Sequence, residues 1–220
     1  MKVQATVVHR IGLLSFFLLA LMAHAEATPV SYDVSVNTNA ISGSSGYLSF
    51  QFNPGGADAP SATATISNFA SIGGTLSVTS NNSGGASGTL PLTVTINNSD
   101  QLNELFQGFT FGSSFSFQLT FAGPAIESSS GASSGSAFAL SLYASDEQTP
   151  LLTIDPNGTV LTILIAPNGD RTVQTFPADD RGSPPTVTIA ERIAAVPEPA
   201  TLWLFAMGAF GLGLAKRRIP

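Results

Sequence analysis

Ser114-Phe115-Ser116-Phe117-Gln118-Leu119-Thr120-Phe121 decides the fold class. Every second residue is large and apolar and every intervening one is polar, the period of two that turns one side of a strand to a core and the other to water. On a helix the same residues would scatter the phenylalanines around the axis. The stretch therefore reads as an amphipathic β-strand, and it sets the pattern sought in the rest of the chain.

Towards the N-terminus the pattern recurs in Val30 to Asn37, with Val30, Tyr32, Val34 and Val36 in phase, and in Tyr47 to Phe52, with Leu48, Phe50 and Phe52 on one face. Asn53-Pro54-Gly55-Gly56 then supplies turn residues. Further strands are predicted at Ala62 to Ser67, Thr75 to Ser80 and Leu90 to Asn97. Asn81 to Gly88 is polar and glycine-rich and reads as an exposed loop, as does Glu127 to Ser136. Towards the C-terminus come the strand of Phe138, Leu140 and Leu142, then Leu151 to Ile154, Thr159 to Ala166, Arg171 to Phe176 and Thr186 to Ala190. Asn157-Gly158 and Asn168-Gly169 are hairpin signals. One segment departs from the rhythm. In Ser99 to Gly108 the apolar Leu105 and Phe106 follow Leu102 by three and four residues, with Asn98 or Ser99 placed to cap and Gly108 to terminate, so a short helix is predicted there. About ten short strands and one helix give an all-β class, an antiparallel β-sandwich of jelly-roll type, with a closed barrel as the alternative.

The two ends differ from this body. Residues 1–27 read as a signal peptide: Lys2 and Arg10, an apolar centre from Ile11 to Ala23, and small-residue cleavage positions at Ala23, Ala25 and Ala27. Thirteen apolar residues reach only about 20 Å as a helix, short of a membrane's apolar thickness. At the other end, residues 194–220 hold Val196-Pro197-Glu198-Pro199, an uncharged run over 200–215, and the basic stop Lys216, Arg217 and Arg218. Sixteen residues make about 24 Å of helix, which snorkelling of the basic cluster extends to a membrane span. Positive charge at both ends places the termini inside and the intervening body, residues 28–193, outside. Pro197 and Pro199 keep the preceding segment extended, the form a protease can enter.

Composition limits the chemistry of the body. The chain is 43% hydrophobic and 10% charged, far from a disordered profile. Three of eight basic residues but thirteen of fourteen acids lie between Thr28 and Pro199, so the body repels nucleic acid. Both histidines (His9, His24) and the tryptophan (Trp203) fall in the terminal segments, both lysines lie at the ends, and there is no cysteine. Ser-His-Asp, Cys-His and Schiff-base lysine mechanisms, and a His/Cys zinc site, each lack a required residue. The body is therefore read as non-enzymatic, without a cofactor. Asp146-Glu147 and Asp179-Asp180 are the weak candidates for calcium, although acids beside turn residues are ordinarily just solvated. Tyr32, Tyr47 and Tyr143 are the candidates for stacking on a sugar, set against a plain strand role for each.

The order of a Pro-Glu-Pro signature, an apolar run and a basic end resembles the PEP-CTERM sorting signal of Gram-negative bacteria that make extracellular polysaccharide. The resemblance implies export across the inner membrane, a membrane-held precursor whose helix lies in lipid and which exosortase recognises and cuts, and then a place at the cell surface or outside the cell. Phrases such as Gly46-Tyr47-Leu48-Ser49-Phe50-Gln51-Phe52 and Phe138-Ala139-Leu140-Ser141-Leu142-Tyr143 are similar to those of exported proteins with the same tail, a family that implies a β domain and no active site. Two functions follow as expectations: a surface or matrix protein associated with exopolysaccharide or biofilm, or a carbohydrate-binding or calcium-dependent adhesion module delivered by the same signal.

Overall fold

The computed structural model describes residues 29–126, 131–179, 181 and 183–192. The expected signal peptide, the Pro-Glu-Pro stretch and the helix over 200–215 lie outside them. Among the described residues there are twelve strands: β1 (Val30–Asn37), β2 (Ser45–Pro54), β3 (Thr63–Ile72), β4 (Thr75–Ser83), β5 (Ala86–Gly88), β6 (Val94–Asn97), β7 (Glu104–Thr110), β8 (Ser114–Ala122), β9 (Ser136–Ala144), β10 (Thr159–Ile165), β11 (Arg171–Thr175) and β12 (Val187–Arg192). Two single 3-10 turns, Asn39–Ile41 and Pro124–Ile126, are the helical elements among the described residues. None of these is long and apolar enough to cross a membrane.

The strands form two antiparallel six-stranded sheets, in the order β12-β1-β8-β3-β6-β5 and β11-β10-β9-β2-β7-β4. Both sheets are open, so the layered reading holds and the closed barrel does not. The opening stretch is β8, central in the first sheet between β1 and β3. Phe115, Phe117, Leu119 and Phe121 are all buried, and every intervening side chain is partly exposed. The sheets are joined by aromatic contacts: Phe117 meets Phe50 edge-on at 5.3 Å between ring centroids, and Phe121 meets Phe52 at 5.5 Å and Phe138 at 5.9 Å. Such pairs add specific geometry to the area they bury, which fixes how the two sheets face each other.

The helix predicted over Ser99 to Gly108 is not formed; residues 104–110 are strand β7, paired with β2 and β4. Its phase is Leu105, Gln107 and Phe109 inward and Phe106 outward. A polar residue at a core position, Gln107, concealed the alternation. It is tolerated because its Nε2 donates to the Ser77, Thr79 and Gly108 carbonyls, at 2.8, 3.0 and 3.0 Å. Those bonds hold β4 where its pairing with β7 shifts register.

Asn103, fully buried, occupies the turn before β7. Its Nδ2 donates to the Phe52 and Asp100 carbonyls, and its Oδ1 accepts from the Gly85 and Asp100 amides. The loop expected over Asn81 to Gly88 is instead the end of β4, a Gly84-Gly85 turn and β5. An edge strand needs few apolar residues, because one side of it never meets the core. The strand expected over Leu151 to Ile154 is absent. Thr153 there donates through Oγ1 to the Thr159 carbonyl at 2.5 Å, closing a loop around Asp155.

Candidate functional site

The register places the two ends of the body side by side. Ser31 of β1 lies opposite Arg192, the last residue of β12, and Arg192 Nε is 3.2 Å from Asp33 Oδ2. The chain leaves the sandwich at the pole where β1 begins, and the Pro-Glu-Pro signature starts five residues on. Residues 193–199 reach at most about 25 Å when extended. The tail pole also carries the starts of β3, β7, β9 and β11, since Thr63 opposes Ala122 and Arg171 approaches Glu191 at 3.9 Å.

A cleft of about 510 Å³ opens at this pole, lined by Pro54, Ala57, Ser61, Thr63, Asn97 and Pro124 among others. Asn98 forms its back wall and is fully committed: Nδ2 donates to the Pro60 carbonyl and Ser136 Oγ, and Oδ1 accepts from the Ala62 amide. Beside it, Asp58 accepts from the Ser133 hydroxyl at 2.6 Å and the Ser133 amide at 2.7 Å. Bonds from the Ser133 and Ser134 side chains and the Ser133 backbone hold its carboxyl well below the usual carboxylate range.

The acidic candidates lie at the opposite pole. Asp146 accepts from the Gln148 and Thr149 amides and the Thr149 hydroxyl, so its charge stabilises its own turn and its pKa is lowered chiefly by the Thr149 side chain. Asp179 does the same through the Arg181 amide and the Ser183 hydroxyl. Asp180 lies outside the described residues. Among the described residues no three His, Cys, Asp or Glu side chains gather closely enough to hold a metal ion. Glu147 turns elsewhere: its carboxylate lies beside the Tyr47 hydroxyl and is the main cause of a raised Tyr47 pKa.

The tyrosines separate into two settings. Tyr32 is buried, edge-on to Phe121. Tyr47 and Tyr143 sit directly opposite each other on β2 and β9, on the outer face of the second sheet. Phe106 joins them, stacked on Tyr47 at 4.7 Å and 14° and lying 6.2 Å from Tyr143. Ser49 beneath them is fully buried although it points away from the core. A polar row continues the face along β2. Glu104 Oε1 accepts from Ser49 Oγ at 2.5 Å and Gln51 Nε2 at 2.9 Å, Gln51 Oε1 accepts from Asn53 Nδ2 at 3.1 Å, and Asn53 Oδ1 accepts from the Asn103 amide at 2.7 Å. Sequence reasoning missed Phe106 and Glu104 because both fell in the expected helix. The signal that finds them is the phase of Leu105, Phe109 and Phe111, which leaves Phe106 on the other side.

Fold and connectivity define the class: an all-β body that runs directly into a C-terminal sorting tail. The PEP-CTERM protein-sorting motif matches residues 195–218, which contain Val196, Pro197, Glu198, Pro199 and the basic cluster Lys216, Arg217 and Arg218. The motif marks an exported, membrane-anchored sorting substrate of the kind exosortase recognises. No curated protein and no solved structure matches the chain.

Proposed function

We propose that the protein is a non-enzymatic surface or matrix protein of a Gram-negative bacterium. It is exported by the signal peptide over residues 1–27, held in the inner membrane by 200–215, and cut by exosortase in the stretch around Pro197-Glu198-Pro199. It then acts at the cell surface or in an extracellular matrix of exopolysaccharide, as in a biofilm. The observation that carries this reading is the position of the sorting motif, whose match begins at residue 195 while β12 ends at Arg192. A cut there leaves all twelve strands in the released product. The absence of His, Cys, Lys and Trp between the terminal segments supports a body that works by binding or scaffolding. Replacing Pro197, Glu198 and Pro199 with alanines should leave full-length protein in the membrane fraction. Normal processing of that variant would count against the proposal.

The alternative, a carbohydrate-binding module delivered by the same tail, is favoured by one observation: the part-exposed rings of Tyr47, Phe106 and Tyr143 beside a row of carboxylate and amide groups. The calcium-dependent form of that alternative draws less support, since Asp146 and Asp179 spend their oxygens on their own turns.

A further inference from the structure

We infer that the outer face of the second sheet, around Tyr47, Phe106 and Tyr143 and along Gln51 and Glu104, binds a neutral, β-linked polysaccharide. The inference rests on the proposed export of the body into a polysaccharide-rich space, and it names the surface and the ligand class.

A sugar ring presents apolar C–H groups on its faces and hydroxyls around its rim, so a site for it needs aromatic surface next to fixed donors and acceptors. Both are present on adjoining strands. The three rings cluster on β9, β2 and β7, away from the sheet's edges, with Phe106 stacked on Tyr47 and tilted against Tyr143. The polar row starts beside them. Glu104 uses Oε1 for both Ser49 and Gln51, and the chain of bonds through Asn53 to the buried Asn103 holds the row rigid before any ligand arrives. Preorganised groups of this kind lose little freedom on binding. From Tyr47 to Asn53 the strip is about 20 Å long at the rise of a strand, enough for several sugar units in line. The strip follows one strand, β2, from Tyr47 to Asn53, a straight course that suits the extended chain a β-linked glycan forms.

Charge selects the class further. The face carries Glu104 and Glu147, and β2, β7 and β9 contain no Lys or Arg. Arg171 is directed to the sandwich edge, beside Glu191. An anionic polymer would meet like charge with no counter-ion, whereas a neutral glycan offers hydroxyl donors to the carboxylates. The tail pole lies at the end of the strands, so anchoring through residues 193–199 leaves this face open to the side.

The test uses the full chain purified in detergent and sedimented with insoluble cellulose (a β-1,4-glucan) and curdlan (a β-1,3-glucan), with dextran sulfate immobilised on beads as the anionic comparison. The wild type should sediment with at least one β-glucan and ignore dextran sulfate. Phe106→Ala and Gln51→Ala should each weaken retention about tenfold, the scale of losing one stacking or hydrogen-bonding contact. Gln51→Ala removes no core atom but breaks the bonds to Glu104 and Asn53, so its melting temperature should fall by only a few degrees, and its retention, read well below that temperature, stands even if Phe106→Ala misfolds. Failure to retain the wild type on either β-glucan, preference for dextran sulfate, or unchanged retention of Gln51→Ala would overturn the inference. Processing is read separately from the mass of the chain in cells. Binding without processing defeats the sorting account alone, and processing without binding defeats this one alone.

Discussion

Replacing Asn103 by alanine tests the most consequential difference between the helix expected over 99–108 and the strand that is there. In the structure the Asn103 side chain closes four bonds: to the Phe52 carbonyl at 3.1 Å, to the Asp100 carbonyl at 2.6 Å, from the Gly85 amide at 2.8 Å and from the Asp100 amide at 3.1 Å. Each is worth about 1 kcal/mol net, and a buried group left unpaired costs more than that. Gly85 and Asp100 are close enough to solvent for water to replace part of the loss, so the variant should lose about 3 kcal/mol. For a domain of this size that is a fall in Tm of roughly 6 to 12 °C. Near-UV circular dichroism of the tyrosines and phenylalanines, followed during urea or thermal unfolding, gives the measurement. The control is the neighbouring Leu102→Ala. Leu102 is 48% exposed, so this change should cost no more than about 0.5 kcal/mol. A helix with Leu102 on its buried face would give the reverse order. A neutral Asn103→Ala beside a costly Leu102→Ala would refute the strand account of this segment.

Two further outcomes follow from the core and the tail pole. Phe121→Ala removes a buried ring that meets Tyr32, Phe52 and Phe138, and should cost about 3 to 5 kcal/mol in equilibrium unfolding. Asp58 has a depressed pKa, so its contribution is present above the unfolded carboxylate value of about 4 and is lost as pH falls towards the folded value. Melting temperatures measured from pH 7 down to pH 2 should therefore drop below pH 4 in the wild type. Asp58→Asn should melt lower at neutral pH and show a shallower acid loss; an identical acid slope in the variant would contradict the assigned role.

Strand periodicity was legible wherever core positions were filled by apolar residues, as in β8, β2 and β1. It failed where a polar side chain entered the core with its own partners. Gln107 is the instance, since nothing local reveals that the Ser77 and Thr79 carbonyls will meet it. It failed again at the edge, where the end of β4 past Ser80 and all of β5 carry almost no apolar signal, and in Leu151 to Ile154, whose apolar residues fill a loop. The outer aromatic face was half legible. Tyr47 and Tyr143 were singled out, but their opposition across β2 and β9 is a contact between residues 96 positions apart, which spacing along the chain does not encode. The sorting tail was read directly, because its three parts are contiguous and each has a separate physical character.

This protein is a sorting substrate, and a cut past Arg192 should leave its body whole. Intact-mass measurement of the protein recovered from producing cells, with and without exosortase, tests it most directly. The product should begin after the signal peptide, retain every residue through Arg192 and lack the run over 200–215, and it should disappear when exosortase is absent. A mature form that keeps Lys216 to Arg218 in exosortase-bearing cells, or one cut inside Val30 to Arg192, would contradict it.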